Sequence, residues 1–239
     1  MKTRVEIEEY NRGVELQVRQ LCTTSKHAGA QICYKCRRKG YIAKQAYEAC
    51  IPRAFWNIKD KDIKYNRDVF TQVIQKYANK LDIALQNGYG LSLSSDNGTG
   101  KTTFLCYILL ESIKKGRSTY YTTLPQLSYD LKRAFGDVQH ARRLEMFLLT
   151  SDFLVVDEFG AEQNRNASDF LSSEITRIIK DRIDNQLPVL IGTNLDLAAL
   201  EHAYGATIAS MLQLNQSVAL TPGDFRKELG KTMQKNMGY

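Results

Sequence analysis

The run Ser95-Asp96-Asn97-Gly98-Thr99-Gly100-Lys101-Thr102 has the residue types that hold a chain of phosphates. It matches the glycine-rich phosphate-loop pattern, except that Ser95 stands where that pattern has its first glycine. Backbone amides from Gly98 to Thr102, gathered at the start of the following helix, can wrap a β-phosphate. Lys101 is placed to reach the β- and γ-phosphates, and the Thr102 hydroxyl to ligate Mg²⁺. The competing reading is a glycine-rich turn entering a helix; the apolar strand before the run and the apolar helix after it favour the phosphate loop. Asp157-Glu158 follows the apolar run Phe153–Val156. A carboxylate at the end of a strand beside the loop's own strand can hold Mg²⁺ through water. The second carboxylate can orient an attacking water as general base. Thr193-Asn194 ends another apolar strand, and its amide can hydrogen-bond the lytic water or the γ-phosphate. Taken together, these residues suit hydrolysis of a nucleoside triphosphate.

A second cluster is made of cysteines. Cys22, Cys33, Cys36 and Cys50 lie close together, while Cys106 sits far downstream in an apolar helical run. Cys33-x2-Cys36 can grip one tetrahedral Zn²⁺ from a tight turn, with Cys50 and either Cys22 or His27 completing the shell. Arg37-Arg38-Lys39-Gly40-Tyr41 is then a basic knuckle between ligands. Free thiols in a small loop-rich domain are the alternative.

The elements that must position these groups follow from periodicity. Residues 1–21 fit a hairpin or a short helix around an Asn11-Arg12-Gly13 turn, and 22–56 form the cysteine-rich segment. Residues 57–66 are polar and read as a linker. From 67 onward amphipathic helices and apolar strands alternate, as in a parallel sheet covered by helices. Helices are expected over 67–86, 101–114, 125–135, 140–149 and 168–185. Strands are expected at Leu91–Leu93, Ser118–Thr123, Phe153–Val156 and Val189–Thr193. The chain thus divides into an N-terminal domain 1–56, a linker 57–66 and an ATPase domain 67–239.

Charge divides at the same place. Residues 1–66 hold 14 Lys and Arg against 7 Asp and Glu, and 67–239 hold 19 against 19, so the net charge of +7 belongs to the N-terminal part. Such a patch suits phosphate backbones or an acidic protein surface, or is simply a solvated face. No run of about 20 apolar residues suits a membrane span, and Met1–Tyr10 carries three glutamates with no apolar core of a signal peptide. The expected location is cytoplasmic.

On the motifs Asn97-Gly98-Thr99-Gly100-Lys101-Thr102-Thr103, Val155-Val156-Asp157-Glu158, Lys180-Asp181-Arg182, Thr193-Asn194-Leu195 and Asp224-Phe225-Arg226, the chain resembles the helicase-loader and IstB branch of the AAA+ ATPases. It resembles the DnaC/DnaI-type loaders in particular, over about Cys33 to Glu228. The resemblance implies an α/β three-layer fold on a central parallel sheet, with a minimal C-terminal lid and a small Cys-rich N-terminal domain. It implies Asn97–Thr103 and Asp157 as nucleotide-binding residues, and Glu158, Asn194 and Arg226 as catalytic ones, Arg226 contacting the γ-phosphate from the lid. It also implies side-by-side self-association, ATP with Mg²⁺ as cofactors, and DNA and a hexameric replicative helicase as partners.

One departure bears on mechanism. The family carries a trans-acting arginine after the Thr-Asn strand, and here Met211 holds that position. Either Arg182 or another arginine substitutes, or hydrolysis is slow; slow hydrolysis is the expectation. Lys132, Arg133, Arg142 and Arg143 lie where related ATPases present DNA-binding groups, or form a plain solvated face. Tyr120 and Tyr121 read as packing residues of their strand.

Three functions follow from the resemblance. The leading one is an ATP-dependent loader that delivers a replicative helicase to single-stranded DNA. The second is an IstB-like transposition regulator assembling on duplex DNA, although such chains usually begin with a helical, cysteine-poor segment. The third is a phage-type interaction protein that captures a helicase and uses ATP structurally.

Overall fold

The computed structural model describes residues 34–160 and 169–221. Its first element, α1, spans Tyr34–Glu48 and takes in the whole stretch expected to be a knuckle. Ala46 near its end, then Ala49 and Ile51, are buried in the same apolar cluster as Phe70, Leu105 and Ile108. This helix also corrects the zinc site. Cys36 lies in its first turn and Cys50 beyond its last, so at 1.5 Å per residue the two are roughly 18 Å apart or more. Thiolates on one Zn²⁺ sit about 2.3 Å from the metal, so Cys36 and Cys50 cannot share it. Cys50 is an exposed free thiol, and among the described residues no group of three or more His, Cys, Asp or Glu could hold a metal. Cys22, His27, Cys33 and the hairpin expected over 1–21 lie outside the described residues.

Residues 57–66 are packed against the core rather than strung between two cores. A 3-10 turn at Asp60–Asp62 leads to Ile63, which is buried with Ile51 and Phe70 in one cluster. Among the described residues, Ala46, Ala49, Ile51 and Ile63 thus share one apolar cluster with the elements that follow residue 67. The helix expected over 67–86 is a broken run: α2 (Arg67–Val69), a π-helical turn (Phe70–Ile74), α3 (Gln75–Asn79) and α4 (Leu81–Gln86). The wide turn leaves Phe70 and Ile74 both fully buried, with the Phe70 ring 5.0 Å from that of Tyr107 and 5.9 Å from that of Phe104.

The alternation that follows is β1 (Leu91–Ser94), α5 (Lys101–Lys114), β2 (Thr119–Thr123), α6 (Leu124–Ala134), α7 (Val138–Thr150), β3 (Phe153–Phe159), α8 (Asp169–Asp184), β4 (Val189–Thr193), α9 (Leu197–Tyr204), α10 (Ala206–Gln213) and β5 (Gln216–Ala219). Thr123 and Asp137 cap the starts of α6 and α7 with side-chain oxygens. The five strands pair in parallel in the order β2-β3-β4-β1-β5. Contrary to the sequence reading, the Asp-Glu strand is not next to the loop's strand: β4 lies between them. β5 had no place in that reading, because Gln216-Ser217-Val218-Ala219 is a short, largely exposed edge strand with no apolar run.

Both faces of the sheet are covered. In β3, Phe153 and Val155 enter the cluster shared with α5, while Leu154 and Val156 enter the one shared with α6, α7 and α8. Burial on both faces explains why this strand is a continuous apolar run. The pairing of β3 with β4 shifts between Val156 and Phe159, so an extra residue is accommodated at Asp157-Glu158. Phe159 consequently joins Leu154 and Val156 on the α8 side, where strict alternation would have put it with Val155. Among the described residues no helix is long and apolar enough to cross a membrane.

Candidate functional site

The phosphate loop closes β1 onto α5. Gly98 and Gly100 have φ of 83° and 102°, a region that costs other residues about 1 kcal/mol or more, and Gly100 is the residue from which α5 starts. Ser95 takes an active part where the common pattern has glycine. Its amide donates to the Thr193 carbonyl at the end of β4 (3.2 Å), and its hydroxyl hydrogen-bonds the hydroxyl of Thr99, which is 1% exposed. Lys101, 8% exposed, directs its ammonium at the carbonyls of Ser95 (2.7 Å) and Asp96 (2.8 Å) and at the Ser95 hydroxyl (3.2 Å). Thr102 and Thr103 are half-buried on the first turn of α5.

Asp157 reaches this loop across the intervening β4. Its carboxylate is 1% exposed and points to the α5 side of the sheet, where Thr102 Oγ1 donates to Oδ2 at 2.6 Å. The Glu158 amide donates to Oδ1 at 2.9 Å, and the Tyr121 hydroxyl to Oδ2 at 3.1 Å. Gly192 makes room on β4: a Cβ there would lie 2.1 Å from Asp157 Oδ1. Glu158 is exposed, with φ of 55°, so the bulge turns the two adjacent carboxylates to different surroundings, one sealed and one open. Strain of this kind costs roughly 1–3 kcal/mol and persists where the surroundings enforce it. At the end of β4 the Asn194 amide donates to the Asn97 side-chain oxygen at 2.9 Å.

Asn97, Lys101, Thr102, Asp157 and Asn194 are thus brought together at the C-terminal ends of β1, β3 and β4, with Gly98–Gly100 forming the loop between them. Arg226 lies outside the described residues, as does everything after 221 of the stretch expected to form the C-terminal lid. Two residues are additions to the set. Tyr121, read as packing, has its phenol on Asp157; burial and the neighbouring carboxylate push its pKa well above the ordinary range, so it donates at any working pH. Asn66, read as linker, sits at φ 47° and bridges two places: its amide donates to the Thr99 carbonyl (3.1 Å) and its oxygen accepts from the Thr221 amide (3.0 Å). An isolated asparagine before a helix is the one sequence signal for it, since Asn tolerates the left-handed region.

Arg182 is corrected outright. It is 1% exposed, and its guanidinium donates to the carbonyls of Leu148 (2.7 Å), Ser151 (2.8 Å) and Pro188 (3.0 Å). Burial lowers its pKa to about 10. A side chain so enclosed ties α8 to the starts of β3 and β4 and cannot reach a neighbouring subunit. Met211 is partly buried against the α8-side cluster. Lys132, Arg133, Arg142 and Arg143 are all exposed on α6 and α7. The buried Cys106 thiol lies on α5 near Asp157, and burial foremost raises its pKa.

Comparison with known proteins places this arrangement in a family. The IstB-like ATP binding protein family matches residues 35–214. The chain is 30% identical over 117 residues to the ATP-binding protein of insertion sequence IS1162 from Pseudomonas fluorescens, a match covering 46% of this chain and 48% of that one. It thus spans about half the length of this curated relative. Among solved structures the DnaC helicase loader superposes with a TM-score of 0.61 at 22% identity, covering 71% of this chain and 100% of the other. DnaI gives 0.61 at 21% identity, covering 71% and 94%. At these identities the likeness is one of fold.

Proposed function

We propose that this chain, which belongs to the family of IstB-like ATP-binding proteins, is an ATP-driven loader that delivers a ring helicase to single-stranded DNA. The observation that carries the reading is the linked set Thr102–Asp157 and Asn194–Asn97, which ties three strand ends to one phosphate loop. The donors suit the substrate. Loop amides and the Lys101 ammonium can bind the triphosphate, with Lys101 exchanging carbonyl partners for phosphate oxygens. Thr102 and Asp157 supply the hard oxygen donors that Mg²⁺ takes, and the cation when bound neutralises charge on the phosphate oxygens. Glu158, open to solvent beside the sealed Asp157, is the general base for the attacking water. Asn194, paired with Asn97, senses the γ-phosphate from the end of β4. Met211 brings no charge to the trans position and Arg182 is enclosed, so turnover is slow and the nucleotide acts chiefly as an assembly switch.

DnaC, similar in fold over its full length, is a helicase loader, and this supports the leading reading. A second reading is favoured by the identity to an insertion-sequence ATP-binding protein: an ATPase that assembles on duplex DNA for a transposase. The test is a pull-down with MgATP, in which a hexameric replicative helicase and single-stranded DNA compete against duplex DNA. Helicase capture with transfer to the single strand supports the loader. ATP-dependent coating of duplex DNA without helicase binding overturns it in favour of the second reading.

A further inference from the structure

We propose that Tyr121 is a positioning residue for the cation-side carboxylate, its phenol fixing Asp157 so that the affinity for Mg²⁺ depends on this one hydroxyl. The proposal rests on the reading of the site as one for MgATP. Tyr121 pairs with Val155, two residues before Asp157, and its ring lies in the α5-side cluster with Phe153 and Val155. A two-residue rise along a strand is about 6.6 Å, a span that a tyrosine side chain lying along the sheet can bridge. The hydroxyl arrives at Asp157 Oδ2, the oxygen that also accepts from Thr102.

Packing alone does not account for this hydroxyl. The residue is 6% exposed among apolar neighbours, where a phenylalanine would fill the same space without a group that needs a partner. A buried hydroxyl left unpaired is destabilising, so the Asp157 bond satisfies Tyr121 as well as orienting the carboxylate. The strand that carries it is held from both sides. β3 pairs along one edge, and on the other the Tyr121 amide donates to the Ala49 carbonyl at 2.8 Å, just past the end of α1.

The experiment is a magnesium titration of binding by a fluorescent ATP analogue, in the unmodified chain and in Tyr121→Phe. The magnesium concentration for half-maximal binding should rise about 10-fold or more, the effect of one hydrogen bond to a charged group. Affinity measured in EDTA should not change, and the extra thermal stabilisation given by MgATP should shrink. An unchanged magnesium requirement overturns the proposal and leaves the ATP reading standing. An equal loss with and without magnesium also overturns it, because that is what a purely structural tyrosine would give. If the unmodified chain binds no nucleotide, both ideas fall. Should Tyr121→Phe not fold, a fluorotyrosine placed at 121, a stronger donor, should lower the magnesium requirement about 2-fold, and no shift there overturns the proposal.

Discussion

Lys101 is nine-tenths enclosed and holds the loop through the carbonyls of Ser95 and Asp96. Ser95, Thr99 and Asn66 hold the same loop independently. Lys101→Ala should therefore leave the fold intact while removing the cation that faces the phosphates. Nucleotide affinity should fall about 100-fold, the worth of a charge-assisted contact of roughly 3 kcal/mol. Equilibrium binding of a fluorescent analogue with Mg²⁺ measures it, and wild-type affinity would sink the assignment. Arg182 gives the opposite pattern. Its removal takes the side-chain donor from the buried carbonyls of Leu148 and Ser151 and one of two donors from that of Pro188, and leaves a void where a large side chain was. Arg182→Ala should cost about 3 kcal/mol and lower Tm by roughly 10 °C, with turnover per folded molecule retained. A variant with unchanged Tm but lost turnover would mean that the residue acts in catalysis after all.

At the scale of elements, Asn66 is the joint between α2, the phosphate loop and the segment after β5. Asn66→Gly keeps the left-handed backbone easy while deleting both side-chain bonds. It should cost about 1–2 kcal/mol and weaken nucleotide binding several-fold, because the Thr99 carbonyl loses its anchor. Calorimetric unfolding and analogue binding check the two halves, and a loss of stability with unchanged binding would detach Asn66 from the site. The sequence made the strands and the loop legible, because β3 and β4 are apolar on both faces, β1 sets two leucines on one face, and all three end in residues that stand out chemically. Helix 101–114 was legible to its last residue for the same reason. Other features depend on partners far along the chain. The order of β1, β4 and β3 is set by pairing, so nothing in the run Phe153–Val156 tells which strand lies beside it. The bulge at Asp157-Glu158 and the π-helical turn at Phe70–Ile74 each add one residue to a regular pattern, which periodicity cannot register. Tyr121 shares a face with Asp157 only once the register of β2 on β3 is known. Cys36 and Cys50 looked like one cluster in sequence because their spacing is short; a helix between them makes it long.

At the scale of the whole molecule, the question is what a second copy contributes. Met211 lies partly buried on α10 against the α8-side cluster, with no charge to offer a neighbour's γ-phosphate. Met211→Arg should raise the turnover of the assembled protein about 10-fold or more, short of the roughly 10³-fold that a fully positioned trans arginine provides, and cost about 1 kcal/mol through lost burial. ATPase rate measured against protein concentration, with and without DNA, is the readout. Brisk, assembly-dependent turnover in the unmodified chain, not increased by the substitution, would end the slow-switch reading. The bridge made by Asn66 has a consequence for how the chain can be threaded. It brings residue 66 and residue 221 to one side chain, so the stretch that carries all five strands begins and ends at a single point. A stretch whose ends meet is closed on itself: one cut at the exposed Gly136, between α6 and α7, should leave the two pieces held together with the sheet order and the phosphate loop unchanged.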